Sequence, residues 1–398
     1  MNSYKYLIIG GGMTADGAVK GIRKIDADGT IGLVSMETDP PYNRPPLSKK
    51  LWQGKPVDSI WRNTEKKNAT LHLGRKIVSL NAGKLHAQDE LGNEYHGEKI
   101  LLATGGTPRR LPFGGEDIIY FRTLDDYRRL FKMSEEDQDF AVIGGGFIGA
   151  EITAALAMNG RKVTMLFPED DLGARIYPHD LSQFLTGYFR EKGVEVLAGE
   201  QVTGLSSSHN RHVLKTLGGR EVAANGVVAG IGITPNIELA KAAGLQVQNG
   251  ISVDEYLLSS VPNIYAAGDV AEFYNPALDK RMRVEHEDNA NSMGMLAGRN
   301  MAGASEAYHH LPYFYSDLFE LGYEAIGELD AHLETAADWA EPFQKGIVYY
   351  FRENRISGVL LWNVWDKIDT ARELIAHPGP FRAQDLNAKI APAWKIVY

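Results

Sequence analysis

The chain of 398 residues contains no cysteine. Without a thiol there is no disulfide, no cysteine-ligated zinc or iron–sulfur cluster and no cysteine nucleophile. Whatever chemistry the protein performs must run through other side chains or a bound cofactor, and no metal site is expected. Long apolar runs are missing as well. None approaches the roughly 20 residues that a membrane helix needs. The apolar start Tyr6–Ile9 is too short for a secretory signal and breaks at once into glycines. These absences set the expectation of a cytoplasmic protein with no membrane span. Positive charge is in deficit, with 42 Lys+Arg against 51 Asp+Glu and a formal net charge of −9. A general nucleic-acid binder would present a basic face, so nucleic acid is not an expected partner.

What is present describes an ordinary globular protein, 44% hydrophobic and 23% charged. At roughly 100–200 residues per domain, the length suggests two or three domains. Glycine, with 42 residues, carries the clearest pattern. Tyr6-Leu7-Ile8-Ile9 runs into Gly10-Gly11-Gly12-Met13-Thr14-Ala15, then a helix-like stretch to Ile25 and a second strand, Thr30 to Ser35. Phe140-Ala141-Val142-Ile143 repeats the arrangement with Gly144-Gly145-Gly146-Phe147-Ile148-Gly149, a helix to about Asn159 and a strand from Lys162 to Phe167. Strand, glycine turn, helix, strand is the opening of a parallel βαβ unit. Two copies imply two dinucleotide-binding domains, in which glycine lets the backbone approach a pyrophosphate and the helix N-terminus favours its charge.

An acidic residue roughly 20 positions further on is expected to bind adenine-ribose hydroxyls. Glu37 and Glu169 are the candidates. A carboxylate there repels a 2′-phosphate, so Glu169 favours NADH over NADPH, while the neighbouring Arg161, Lys162 and Arg175 pull the other way. Strand signals recur around 76–80, 84–88 and 99–103, before the glycine–proline connection 104–108. Another apolar strand, Gly226 to Ile231, ends in Gly232, and Ile264 to Ala267 ends in Gly268-Asp269. From about Tyr313 the texture changes. Gly346–Phe351 and Ile356–Trp362 flank a turn and read as an antiparallel hairpin followed by a helix at 367–376, which is a third domain of α+β type.

Several segments together resemble one family. Asn43-Arg44-Pro45-Pro46-Leu47-Ser48-Lys49, Ala103-Thr104-Gly105-Gly106 and Ala267-Gly268-Asp269 resemble signatures of the two-dinucleotide flavoprotein superfamily of NAD(P)H-dependent reductases. Within it, Val284-Glu285-His286, Leu166-Phe167-Pro168-Glu169, the run Gly322 to Gly327 and Val359 to Asn363 are most similar to apoptosis-inducing factors and their bacterial relatives. Ferredoxin and rubredoxin reductases are more distant and usually carry a Trp where Glu287 stands. The resemblance implies an α/β fold with two Rossmann-like domains of the glutathione-reductase type and a C-terminal α+β domain. The corresponding ranges are 1–124 with 245–311 for FAD, 125–244 for NAD(H) and 312–398 for the C-terminal domain.

The resemblance also implies roles. Gly10, Gly12, Thr14 and Ala15 would hold the FAD pyrophosphate and Asp269, after Gly268, the ribityl chain. Arg44, Ile77, Thr104, Gly105 and Arg122 match further FAD positions. Lys49 matches the lysine beside flavin N5 and Glu151 its carboxylate partner; His286 and Tyr315 match positions flanking the isoalloxazine. Gly145, Gly146, Phe147, Ile148, Glu169, Arg175, Gly232, Glu285 and Glu324 match nicotinamide-cofactor contacts. Met36 stands where relatives have the ribose-binding glutamate, with Glu37 one step later, and Tyr315 replaces a tryptophan of the animal proteins. Read without the resemblance, Lys49 with Lys50 is equally a solvated basic pair and Glu151 a carboxylate favoured by the helix dipole. On the same footing Phe147 is packing, His286 an ordinary imidazole, and Trp362 and Trp365 core.

The expected activity is an FAD-dependent NADH oxidoreductase, in which a hydride passes from NADH to flavin N5 and electrons leave to an acceptor. Ferredoxin or rubredoxin, a quinone and dioxygen all fit as acceptors, and a homodimer is left open. Lys280-Arg281-Met282-Arg283 and Arg109-Arg110 are candidate docking charges for an acidic carrier. The alternative is an NADH-gated flavoprotein switch, whose long-lived reduced complex signals by changing shape or assembly. Within this superfamily the missing cysteine also excludes the branch that relays electrons through a protein sulfur.

Overall fold

The computed structural model describes residues 2–208 and 211–382 with Leu386, Lys389 and Ile390. Residues 391–398, at the end of the expected third domain, lie outside the described residues. The chain divides into two compact units, one formed by 1–44, 56–107 and 234–312, the other by 45–55, 108–233 and 313–398.

The first unit rests on a sheet whose central strands carry buried apolar runs, Tyr6–Ile9, Ile31–Val34 and Ile100–Leu102, as stretches covered on both faces do. Its order is Ala69–His72, Ile31–Val34, Asn2–Ile9, Glu94–Leu102, His86–Asp89 and Ile77–Asn81, with Ile264–Ala266 joining Glu94–Leu102 along Ile100–Leu102. The first four strands run parallel, and the two between Ile77 and Asp89 complete the sheet antiparallel. The helix Met13–Ile25 buries Ala15, Ala18, Val19 and Ile22, the spacing of a core-facing stripe. It packs against the helix Glu287–Met301 so closely that a Cβ on Gly294 would lie 2.3 Å from the Thr14 carbonyl oxygen.

The second unit carries a parallel sheet ordered Glu195–Ala198, Lys162–Phe167, Asp139–Ile143, Gly226–Ala229 and Ile118–Tyr120. The helix Phe147–Met158 packs on it and is buried from Gly149 to Leu156. A separate antiparallel sheet is ordered Tyr313–Leu318, Leu321–Gly327, Arg355–Trp362, Lys345–Arg352 and Glu334–Glu341, followed by the helix Ile368–Ala376. The expected hairpin is its centre. Its strands Lys345–Arg352 and Arg355–Trp362 turn through Glu353 (φ 51°) and Asn354 (φ 60°), the left-handed pair that a tight hairpin with right-handed twist prefers.

Aromatic residues fill the core of this sheet. Trp362 is fully buried and stacks on Tyr323 with centroids 5.7 Å apart, while Tyr177 meets both rings edge-on at 5.8 Å. Trp365 departs from the expectation of a core residue, being 44% exposed. The turn after Trp362 takes left-handed φ at Asn363 (50°) and Asp366 (60°), and this carries Trp365 out over Gly322 instead of inward. Among the described residues, no helix is long and apolar enough to cross a membrane.

Candidate active site

Both glycine turns have the form that a pyrophosphate requires. Gly10 has φ +128° and a Cβ there would lie 2.1 Å from the Ala103 carbonyl oxygen, so only glycine fits. Gly12 is the N-cap of the helix Met13–Ile25, and no side chain caps that helix. A Cβ on Gly12 would meet nothing within 4 Å, which leaves the helix amides open to an anion. The second turn repeats the design. Gly146 is an N-cap with no side-chain cap and open space around it. Gly149 must be small, because a Cβ would lie 2.0 Å from the Gly144 carbonyl oxygen. The residues present therefore fit two dinucleotides, one per unit.

In the first unit the predicted flavin-side residues assemble around the first turn. Gly268 ends the strand Ile264–Ala266 and touches Thr14, whose Oγ1 is 2.2 Å from where a Gly268 Cβ would stand. Ala15 and Thr14 are buried in the helix. Glu37 and Arg44 form an ion pair, and Tyr42 ties them by donating to Glu37 Oε2 at 2.6 Å and accepting from Arg44 Nη1 at 3.0 Å. Met36, by contrast, points to solvent at 62% exposure. The structure thus puts a carboxylate with a fixed orientation one residue after Met36. Ile77 is buried in the core of this unit, and Thr104 and Gly105 are bonded to Asn236.

Glu285 pairs with Arg283 at 2.6 Å, and Arg283 also donates to the Asp269 carbonyl oxygen at 3.1 Å. His286 is the N-cap of the helix that begins at Glu287. Burial pulls the His286 imidazole down to about 4, against the attraction of Asp269 and Asp288, so at neutral pH it is uncharged.

In the second unit a buried polar cluster forms at the start of the helix Phe147–Met158. Lys49 Nζ lies 2.5 Å from Glu151 Oε1, with the two side chains 7% and 4% exposed. The ammonium also sits over the Tyr315 ring, 5.3 Å from its centroid. Ser48 Oγ donates to Glu151 Oε2 at 2.6 Å, and Ser316 Oγ donates to Oε1 at 2.6 Å. This is not a solvated basic pair: only Lys50 of the two lysines is exposed.

Local geometry explains the convergence. Phe147 and Glu151 are one turn apart on one helix face, roughly 6 Å along the axis. Phe314 and Ser316 are two apart on one strand face, about 6.6 Å. The spacings match, so Phe314 meets Phe147 edge-on at 5.2 Å while Ser316 reaches Glu151. Tyr315, on the opposite face, lies under Lys49.

The remaining dinucleotide residues lie near this cluster or outside it. Gly145 accepts at its carbonyl from the Gly173 amide at 3.2 Å, which ties the loop carrying Arg175 to the second glycine turn. Arg175 pairs with Glu169 at 2.5 Å. Tyr350 donates to the Ile176 carbonyl at 2.8 Å and the Ala331 amide donates to Arg175 at 3.0 Å, so the same loop is fastened to the antiparallel sheet. Ile148 is exposed, as is Gly232, whose carbonyl accepts from the Arg109 amide at 2.9 Å. Glu324 is half-buried beside the exposed Trp365 turn, where it accepts from the Asp366 amide at 3.2 Å. Burial, reinforced by the Asp366 carboxylate, raises its carboxyl. Arg122 stands just before the helix Leu124–Glu136, its amide on Asp126.

Sequence reasoning missed Ser48, Ser316, Phe314 and Tyr350. Only Ser316, a hydroxyl in an otherwise aromatic run, carried any local signal. Three of the candidate docking charges have partners within the chain. Arg281 donates to the carbonyls of Val253 and Glu272, Arg283 is engaged as above, and Arg110 pairs with Glu116 at 3.0 Å.

Comparison with known proteins agrees with this geometry. Residues 4–294 match the pyridine nucleotide-disulphide oxidoreductase family, and 297–342 and 336–377 match the C-terminal region of mitochondrion-associated apoptosis-inducing factor. The chain is 34% identical to apoptosis-inducing factor 1, mitochondrial, of Dictyostelium discoideum, over 94% of this chain and 79% of that protein. It is 32% identical to monodehydroascorbate reductase 3 of Arabidopsis thaliana, over 90% and 89%. The crystal structure of the covalent putidaredoxin reductase–putidaredoxin complex superposes with a TM-score of 0.89 at 29% identity, covering 97% of this chain and 95% of that one. The two glycine cradles, the strand order around them and these matches agree: the chain belongs to the pyridine nucleotide-disulphide oxidoreductase family, as an apoptosis-inducing-factor-like oxidoreductase whose membership implies FAD and a nicotinamide dinucleotide.

Proposed function

We propose that this protein is an NADH oxidoreductase that delivers electrons from its flavin straight to an outside acceptor, with no thiol relay. The observation that carries the reading is the Lys49–Glu151 pair, a buried charge couple in a family named for disulphide chemistry, in a chain with no cysteine. Bound FAD supplies the acceptor for a hydride and the donor of electrons to the next carrier. Gly10, Gly12, Thr14 and Gly268 would hold its pyrophosphate region and Glu37 its adenine ribose. Gly145, Gly146 and Gly149 would hold the nicotinamide dinucleotide, with Phe147 and Glu324 toward its reactive end. Lys49 would supply positive charge where a reduced flavin is negative, and Glu151 keeps that lysine in one place.

NADH is preferred over NADPH in this reading because Glu169, two residues beyond the strand Lys162–Phe167, presents a half-buried carboxylate, which a 2′-phosphate would have to approach. A one-electron carrier resembling the redox partner of putidaredoxin reductase is the proposed acceptor class. Support comes from the fold likeness to that reductase in complex. Since Arg281 and Arg283 donate to backbone carbonyls, docking would draw on charges other than these two.

Anaerobic stopped-flow mixing with NADH tests the whole reading. Wild type should be reduced rapidly and reoxidised rapidly by a supplied iron–sulfur protein, and Lys49→Ala should slow the reductive phase. Reduction unaffected by Lys49→Ala removes the lysine from the mechanism. A persistent reduced complex that no carrier discharges overturns direct delivery in favour of a nucleotide-gated switch.

A further inference from the structure

Glu151 is shared among more donors than an ion pair requires. Its Oε1 takes both Lys49 Nζ at 2.5 Å and Ser316 Oγ at 2.6 Å, and its Oε2 takes Ser48 Oγ at 2.6 Å. Ser48 Oγ lies farther, 3.4 Å, from its other acceptor, the Pro45 carbonyl oxygen. Both serines are buried. The cluster joins three parts of the chain: the donors Ser48 and Lys49 come from one turn and Ser316 from an edge strand, and the acceptor Glu151 from a helix.

A carboxylate that accepts from three donors is fixed in orientation, and a hydroxyl bond to a carboxylate is a strong, charge-assisted one. The consequence concerns the lysine. In a dry site an unshared carboxylate would cancel most of the field of an ammonium at 2.5 Å. Two hydroxyl dipoles aimed at the same carboxylate take up part of its negative charge. They leave more of the Lys49 field to act beyond the pair, and they fix the carboxylate so that Nζ cannot follow it into a more neutral geometry.

We propose that Ser48 and Ser316 are positioning residues that tune the electron affinity of the bound flavin, by sharing the Glu151 carboxylate with Lys49. The inference rests on the reading that Lys49 serves the flavin. It goes beyond that reading by assigning the tuning to two hydroxyls that act through Glu151. No new covalent step is involved. The serines shift the balance of the hydride transfer, in which two electrons and one proton leave the nicotinamide together.

The test is the two-electron reduction potential of the FAD-loaded protein, measured by anaerobic equilibrium titration against a reference dye. Ser316→Ala and Ser48→Ala should each make reduction about tenfold less favourable, a downward shift of about 30 mV for a two-electron couple. Ser316→Thr, which keeps the hydroxyl, should restore most of it. In a Glu151→Gln background Ser316→Ala should add no further shift, because its target charge is gone. Urea melts serve as the structural control, and Ser48→Ala, on a different element, stands in if Ser316→Ala fails to fold. Potentials that stay at the wild-type value, rise, or shift as much in the Glu151→Gln background overturn the proposal. Lys49→Met separates the two levels. If it leaves the potential untouched, the reading of Lys49 itself fails; if it shifts the potential while both serine variants do not, only the role of the serines fails.

Discussion

Arg175 holds its guanidinium 2.5 Å from the Glu169 carboxylate, with the arginine 80% exposed and the glutamate 24%. The glutamate is largely covered just beyond a strand end, whereas the arginine is exposed. In the NADH reading proposed above, the carboxylate sets the selectivity and the arginine moderates it. Glu169→Ala should raise kcat/KM for NADPH relative to NADH by about tenfold or more, since a juxtaposed like charge costs several kcal/mol. An unchanged ratio would show that the preference resides elsewhere.

The first glycine turn separates two costs that are usually confounded. Gly10→Ala places a Cβ 2.1 Å from the Ala103 carbonyl oxygen at φ +128°, so the fold itself must give, by roughly 1–3 kcal/mol or more. Gly12→Ala meets nothing within 4 Å. We expect Gly10→Ala to lower the melting temperature of the FAD-free protein. Gly12→Ala should leave that temperature alone and weaken FAD binding instead, read by fluorescence titration. Equal melting losses in both variants would argue that Gly12 is needed by the fold and not by the ligand.

Tyr350 is buried and its hydroxyl donates to the Ile176 carbonyl, inside the loop that carries Arg175. Tyr350→Phe removes that bond at a cost of about 1 kcal/mol and leaves a carbonyl without its donor. The loss should appear chiefly as a raised KM for the dinucleotide, with kcat for the bound complex nearly unchanged. A fall in kcat with KM constant would place the effect in the chemistry and not in the loop.

His286 should carry no charge through the physiological range, because burial holds it near 4. Its ordinary value is near 6.5, so between these two limits the unfolded chain binds a proton that the native protein refuses. Stability from this group is complete above about 6.5 and is lost as pH falls toward 4. His286→Gln should flatten that part of the stability profile, measured by urea unfolding at neutral and mildly acid pH. A profile with the wild-type slope would assign the acid loss to other groups.

The glycine turns were legible because their requirements are local. A strand, three glycines and a small residue suffice, and the helices begin two or three residues before the sequence suggested because Gly12 and Gly146 are themselves the N-caps. The hairpin around Glu353 and Asn354 was legible for the same reason. Lys49 and Glu151 were not readable as a pair from their own surroundings; the resemblance joined them. Ser316 bonds a residue 165 positions away and Tyr350 one 174 positions away, distances at which periodicity and spacing carry no information. The surroundings of the run Lys280 to Arg283 were hidden for a related reason. Charge is visible in a sequence, but whether an arginine turns outward or toward its own backbone, as Arg281 does, depends on strands that meet only in the fold.

The strand Tyr313–Leu318 lies at the edge of its sheet, pairs only with Leu321–Gly327, and reverses through Phe319, a non-glycine residue held at φ 59°. Three of its consecutive residues serve three different neighbours: Phe314 meets Phe147, Tyr315 meets Lys49 and Ser316 meets Glu151. Because side chains alternate faces, a slip of one position exchanges all three assignments at once. This makes the hairpin more sensitive to length than to spelling. Substitutions at this turn should keep the three pairings, whereas an insertion or deletion of one residue there would leave a sheet of the same outline with Lys49 and Glu151 unsupported. In a library of variants, the two classes of change at Phe319 and Glu320 should separate sharply in flavin chemistry while folding alike.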